Sequence, residues 1–404
     1  MNTENVTFQN KSGEQLSGKL ELPPDRHPHN FAIFAHCFTC SKNLLAVKNI
    51  SRALTKKGFG VLRFDFTGLG ESEGDFKDTN FSGNVEDLIA AAAYVAENYK
   101  KPSLLVGHSL GGAAALFAAA EIESIQAVAT IGAPADPEHV NHLFKSSLEK
   151  IEKEGKAVVT LAGREFTIKK QFVDDLKNKS LAEVVKNMRK SLLVMHSPQD
   201  NTVGISNAKL IYEAAFHPKS FISLDGADHL LQNKKDSLYA GEVIASWAQR
   251  YIELPDNLKL HTEHEVVASL DTSNGFTTQM KLGEHYITAD EPESAGGHNF
   301  GPTPYEFLSA GLAACTAMTI KMYARFKKWE LENIEVHIDY SKEHASDCEN
   351  CESSQAKIDT FKRELKITGN LDDTQKAKLL EIADKCPVHR TLHNEIRIKT
   401  NMIS

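Results

Sequence analysis

Residues 106–112 read VGHSLGG and set Ser109 between Gly107 and Gly111 in G-x-S-x-G spacing, after the apolar run SLLV and before an alanine-rich stretch. A serine so placed sits on a sharp strand-to-helix turn. Side chains at the flanking positions would strike neighbouring backbone, and the turn lifts the hydroxyl above the sheet edge. The bare spacing also fits a glycine-rich turn with an incidental serine, so the surroundings must decide. A serine hydroxyl becomes a nucleophile when a histidine takes its proton and a carboxylate fixes that histidine's tautomer, and the chemistry is then acyl transfer. The partners belong on loops after later strands, in the order acid then histidine. Asp200 follows SLLVMHSPQ and His229 follows FISLDGA. Asp225 and Asp228 are alternative carboxylates, but they share the loop of His229 rather than facing it from another strand. An oxyanion site needs two backbone N–H groups; Leu110, after the nucleophile, and Phe38, after FAIFAHC, are the expected donors.

A second set of residues carries sulfur. Cys315 lies in PYEFLSAGLAACTAMTIKM, residues 304–322, which has no charged side chain between Glu306 and Lys321. Apolar residues spread around this helix and leave no face for water, while its charge-free run is of core length and too short for a bilayer. Pro304 suits its first turn. A lone buried cysteine is ordinarily a small core hydrophobe, so reactivity needs a partner, and Cys386 in EIADKCPVHRTL supplies one. Standing before Pro387, it is placed at a helix start, where the positive potential favours thiolate; electrostatics alone would make Cys386 the attacker. Two further clusters invite metal or redox readings. His344, Asp347, Cys348 and Cys351 in SKEHASDCENCESS have soft ligands for zinc but no clear fourth ligand, and a solvated loop explains them equally. Cys37 and Cys40 form a C-x-x-C without a second ligand pair, which small buried thiols also explain.

The elements that must position these groups fall into two series. From residue 31 to about 252, strand-length apolar runs alternate with helical patterns, which implies crossover units and a largely parallel sheet covered on both faces. About residues 135–190 interrupt the rhythm with a charged stretch, read as a lid above the sheet. Residues 253–262 read as a linker, and 263–404 as a separate α+β domain of short strands around the long apolar helix. The 404-residue length itself favours two domains. Residues 1–254 carry 29 Lys+Arg against 30 Asp+Glu, and residues 255–404 carry 17 against 24. Neither half presents a nucleic-acid surface. The opening MNTENVTFQNKSGEQ lacks a basic stretch followed by an apolar run, so neither secretion nor membrane insertion is expected. Six cysteines are too sparse for a disulfide framework, and a reducing cytoplasm is the default. No cofactor is called for.

The Ser109 motif with Asp200 and His229 resembles the α/β-hydrolase family over about residues 1–252, with His36-Cys37 where many members have His-Gly. DEPESAGGHNFGPTPYEFLSAGLAACTAM, residues 290–318, together with CPVHRTL, residues 386–392, resembles the OsmC/Ohr family of thiol-dependent hydroperoxide reductases over about residues 261–404. The whole chain is similar to bifunctional α/β-hydrolase/OsmC fusion proteins. The resemblance implies ester and organic hydroperoxide substrates, a dithiol reductant, and an intertwined homodimer formed through the C-terminal domain. It also implies that Cys315 attacks the peroxide and Cys386 resolves the resulting sulfenic acid. In that family an arginine from the early strands and a glutamate near the helix start keep the first thiol ionised. Here residues 252–324 hold no arginine; Tyr305 stands at the glutamate position and Glu306 one residue beyond.

Overall fold

A computed structural model describes residues 3–23, 28–161, 164–177, 179–252, 260–271, 275–344 and 357–402. The chain divides into two compact units, Met1–Asn274 with Gln279–His285 and Gly275–Thr278 with Tyr286–Ser404.

In the first unit, strands β1 (Thr3–Gln9), β2 (Gln15–Glu21), β3 (Asn30–Ala35), β4 (Phe59–Phe64), β5 (Leu104–His108), β6 (Ala127–Ile131), β9 (Ser191–His196) and β10 (Lys219–Ser223) form one sheet. Their order is β1-β2-β4-β3-β5-β6-β9-β10. β1 and β2 are antiparallel and β2 meets β4 antiparallel; from β4 to β10 every pairing is parallel. The central strands NFAIFA, FGVLRF, LLVGH and AVATI are buried at every position, as strands covered on both faces must be. Alternation decides which core each side chain joins: in β3, Phe31, Ile33 and Ala35 enter one and Ala32 and Phe34 the other. The first core is closed by α2 (Phe81–Asn98) and α3 (Leu110–Glu121), the second by α1 (Leu45–Lys56) and α8 (Lys234–Tyr251). Helix α1 shows the cause: Val47, Ile50 and Leu54 recur at helical spacing and are fully buried.

Between β6 and β9 the chain inserts 3-10 turns at Pro137–Ser147, helix α4 (Leu148–Glu154), the hairpin β7 (Lys156–Leu161) and β8 (Arg164–Lys169), and helices α5 (Lys170–Leu176) and α6 (Leu181–Met188). The charge pattern of this stretch reads as helical, and it conceals the hairpin. Helix α7 (Ser206–Ala214) follows β9.

Further along, β11 (Val266–Leu270), β12 (Thr278–Leu282) and β13 (His285–Ala289) make a three-stranded sheet. Helix α9 (Pro304–Lys327) opens with a capping box, Thr303 and Glu306 each binding the other's backbone N–H. It packs against the antiparallel ribbon of β14 (Glu330–His344) and β15 (Lys357–Asn370) and against α10 (Asp373–Ala383) and α11 (Pro387–His393). Only the i, i+4 stripe Leu312, Thr316, Ile320 and Ala324 is buried, whereas Met318, Met322 and Phe326 are 64%, 72% and 78% exposed. The expected absence of a water-facing side therefore fails within one chain. By length and composition α9 could also cross a membrane, against the sequence expectation. Ile320 and Ala324 of the stripe instead join a core with Leu371, Leu379 and Ala383.

Candidate active sites

β5 ends at His108 and α3 begins at Leu110, leaving Ser109 alone on the turn at φ +56°, ψ −128°. A non-glycine residue held there is strained, and the surrounding backbone must impose it. A Cβ on Gly107 would lie 2.5 Å from Gly111 O, and one on Gly111 would lie 2.2 Å from His36 O. Both glycines are thus dictated by backbone packed against backbone, as the motif requires.

Ser109 Oγ is 2.9 Å from His229 Nε2, and His229 Nδ1 is 2.7 Å from Asp200 Oδ2. Because a carboxylate only accepts, Nδ1 carries the proton and Nε2 is free to accept from Ser109. The other oxygen, Oδ1, accepts the N–H groups of Thr202 and Val203 at 2.8 and 2.9 Å. Burial pushes the Asp200 carboxyl up, but the bonds from His229, Val203 and Thr202 outweigh it and hold it below the ordinary carboxylate value. Asp225 accepts from Ser223 Oγ, and Asp228 from the N–H groups of Leu230 and Gln232. Neither carboxylate joins the chain of bonds that reaches Ser109.

Leu110 opens α3, so its N–H has no partner inside the helix. Phe38 lies in a turn closed by Cys40 N–H to Cys37 O, with positive φ at Thr39, the third residue, as in a type II turn. Cys37 and Cys40 are joined as a disulfide across this turn, Cα atoms 5.3 Å apart. That pairing replaces the separate thiols of the sequence reading, and it is local, so it needs no framework. The Phe38 ring packs on Phe76 and Phe172, and Arg164 at the start of β8 donates to Thr39 O. The β7–β8 hairpin therefore touches the very turn that carries Phe38.

Two histidines that sequence reasoning passed over clamp the loops that carry His229 and Asp200. His108 Nε2 donates to His229 O at 2.6 Å, and His196 Nε2 to Val203 O at 2.7 Å. Burial lowers both; for His108 the neighbouring His229 adds to it, and the value falls to about 3. Each is the last residue of a buried strand, His108 of β5 and His196 of β9, and that placement is the available signal.

In the second unit, Cys315 is half-buried on α9 and Cys386 is buried at the N-cap of α11, both as free thiols. Burial pushes the Cys386 thiol up, but bonds to its sulfur from His389 N–H, Cys315, Thr316 and Val388 N–H outweigh it and hold it below the ordinary cysteine value. The two cysteines are thus neighbours. Arg363 on β15 donates through Nη1 to Thr316 Oγ1 at 3.1 Å and Ala383 O at 3.2 Å, and through Nη2 to Asp384 at 2.6 Å. This cation comes from a late strand, beyond the early strands where an arginine was sought. A cavity of about 700 Å³ adjoins it, lined by Leu308, Leu312, Phe361, Arg363, His389 and Leu392 among others. Tyr305 lines the same cavity and stacks on Tyr340 with ring centroids 4.2 Å apart. Glu306 faces elsewhere, its carboxylate accepting Thr303 N–H at 2.7 Å. Asp347, Cys348, Cys351 and the side chain of His344 lie outside the described residues.

The family model described as serine aminopeptidase, S33, matches residues 34–181, and that described as OsmC-like protein matches residues 296–401. The esterase domain of a Rhodothermus marinus protein is 52% identical over 62% of this chain and 99% of its own, with a TM-score of 0.52. The chain belongs to the α/β-hydrolase family, with an OsmC domain fused behind. More distant structures share the hydrolase fold alone. Alpha/beta hydrolase domain-containing protein 10 from mouse is 19% identical with a TM-score of 0.52, covering 61% of this chain and 99% of its own. The alpha/beta hydrolase GrgF from Penicillium sp. is 18% identical with a TM-score of 0.51, covering 62% and 99%. No curated protein matches this hydrolase/OsmC fusion.

Proposed function

We propose that the first unit is a serine carboxylic ester hydrolase working through Ser109, His229 and Asp200. The observation that carries this reading is the continuous chain of bonds, 2.9 Å from serine to histidine and 2.7 Å from histidine to aspartate. His229 Nε2 takes the Ser109 proton as the oxygen attacks the ester carbonyl, and the N–H groups of Leu110 and Phe38 receive the developing oxyanion. The proton passes to the leaving alcohol. Water, activated by the same histidine, then hydrolyses the acyl-serine. The buried, ionised Asp200 stabilises the imidazolium in both steps.

For the second unit we propose a two-cysteine hydroperoxide reductase. Cys315 gives its S–H proton to the Cys386 sulfur beside it and attacks the terminal oxygen of an organic hydroperoxide, becoming a sulfenic acid. The proton passes from Cys386 to the departing alkoxide, which leaves as the alcohol. The Cys386 thiolate then displaces hydroxide from the sulfenic acid to form a disulfide, which a dithiol reductant reopens. Support comes from the two adjacent sulfurs, the donors gathered on Cys386 and the cavity beside Arg363, where Leu308, Leu312, Phe361 and Leu392 share the lining with polar and charged side chains. The exposed Met318, Met322 and Phe326 on α9 support a homodimer through this unit.

A pair of single substitutions separates the two chemistries. Ser109→Ala should abolish p-nitrophenyl ester hydrolysis while cumene hydroperoxide consumption continues, and Cys315→Ser should do the reverse. Full ester turnover by Ser109→Ala would end the hydrolase reading; unchanged peroxide turnover by Cys315→Ser would end the other.

A further inference from the structure

The loop from β3 to α1, residues 36–44, carries Phe38, and a charged side chain four residues on is buried beneath it. The Lys42 side chain is 0% exposed, and lysine is almost never so buried unless paired. Its ammonium donates to Asp65 Oδ2 at 2.5 Å, Glu71 Oε2 at 2.7 Å and Ser17 Oγ at 3.1 Å, which uses all three protons. The backbone of the same residue is held as well. Lys42 N–H donates to Asp65 Oδ1 at 2.7 Å, and Lys42 O accepts from Arg63 Nη1 at 2.5 Å. Arg63 is in turn fixed by Glu21, Nε to Oε1 at 2.7 Å.

Asp65, just past β4, is the hub. It takes Lys42 from two directions and also Glu71 N–H at 3.0 Å. A Cβ on Gly70 would lie 2.1 Å from Asp65 Oδ2, so the loop at Gly70 is shaped around this carboxylate. Every atom of Lys42 able to make a directional bond is tied to β2, β4 or the loop after β4.

Stability does not account for such an arrangement. Desolvating an ion pair costs about as much as its attraction returns, and well-packed apolar residues often do as well or better. What directional bonds supply and apolar packing does not is a fixed loop position. Donors of an oxyanion site must hold their place to within a few tenths of an ångström to act on the transition state.

We infer that Lys42 and Asp65 are positioning residues of the acyl-transfer centre, fixing the β3–α1 loop so that Phe38 N–H meets the developing oxyanion. Neither residue touches substrate. The inference rests on the serine-hydrolase reading above.

The test uses the full-length chain and two variants. Lys42→Met/Asp65→Asn removes both charges together, so neither is left buried and unpaired. Glu71→Gln loosens the ammonium from a partner whose side chain is 68% exposed, which the fold tolerates. Rates on p-nitrophenyl butyrate are measured well below each variant's Tm, with inhibition by an alkyl boronic acid, whose serine adduct carries an anionic oxygen.

Removing one oxyanion donor outright costs about 10²–10³ in kcat, so the double variant should lose about 10–10² and Glu71→Gln about threefold to tenfold, with KM nearly unchanged. Boronate affinity should fall by the same factor as kcat/KM. A purely structural role would lower Tm and leave kcat and boronate affinity alone, and that result in Glu71→Gln overturns the inference even if the double variant does not fold. Ser109→Ala serves as the reference. If it retains hydrolysis, the hydrolase reading fails; if it is inactive while the variants keep wild-type kcat, only the positioning role fails.

Discussion

Acidification is expected to weaken the first unit through His108, and the size of the effect follows from its surroundings. His108 is 2% exposed and takes no charge readily, because burial and the neighbouring His229 hold its pKa down at about 3 against an ordinary 6.5. With the folded value depressed, the unfolded chain binds the proton first. The contribution is therefore complete above pH about 6.5 and is lost as pH falls towards about 3. At 1.36 kcal/mol per unit, lowering pH from about 7.5 to about 5.5 removes about 1.4 kcal/mol, and reaching about 4.5 removes about 1.3 kcal/mol more. His36 and His196 are also lowered by burial and act in the same direction, whereas Glu21 and Asp87, raised by burial, act in the opposite one. The share of His108 must therefore be isolated by difference. His108→Gln keeps a donor for His229 O but cannot titrate. Urea unfolding in a Trp329→Phe background leaves Trp247 as the one tryptophan and so reports the first unit. The gap in unfolding free energy between parent and His108→Gln should close by the amounts above as pH falls. Parallel curves across that range would refute the argument.

Three other expectations concern the two sites. Asp200→Asn should lower kcat for ester hydrolysis by about 10³–10⁴ near neutral pH, since the amide leaves His229 in the wrong tautomer; steady-state kinetics on a p-nitrophenyl ester checks this. Gly111→Ala should cost the elbow its geometry, because the new methyl would lie 2.2 Å from His36 O, a backbone atom with no room to retreat; loss of hydrolysis with a lowered Tm is the expected result, and wild-type activity would contradict it. In the reduced protein, thiolate absorbance at 240 nm should show a step below the ordinary cysteine range that Cys386→Ser removes and Cys315→Ser retains, as the donors around Cys386 require.

Much of the hydrolase site was legible because its requirements are local. Gly107 answers to backbone crowding within five residues, at Gly111 and Gly112, although Gly111 answers to Ala35 and His36 at the end of β3; Asp200 and His229 each follow a strand that apolar runs reveal. Lys42 and Asp65 were not legible: they are 23 residues apart, and charged residues in loops read as solvated until the fold brings the loops after β3 and β4 together. The disulfide between Cys37 and Cys40 was spelled out as C-x-x-C, yet spacing alone does not separate a bonded pair from two small core thiols. In the second unit the helix and both cysteines could be read directly. The uncovered Met318, Met322 and Phe326 could not, because apolar character does not say whether one's own chain does the covering. Arg363 was missed because it reaches Thr316 from a strand more than forty residues later in the chain. Glu306, by contrast, was readable as a cap from T-P-Y-E, the spacing of a capping box.

The central claim is that Ser109, raised on its strained turn and bonded to His229, is the group that attacks. Reaction of the intact protein with a stoichiometric alkyl fluorophosphonate, followed by peptide mass spectrometry and residual-activity measurement, tests it most directly. One adduct per chain, located on Ser109 and formed in proportion to the loss of ester hydrolysis, is the predicted result. Hydrolysis that persists after Ser109 is fully modified, or inactivation with the adduct on another residue, would contradict it.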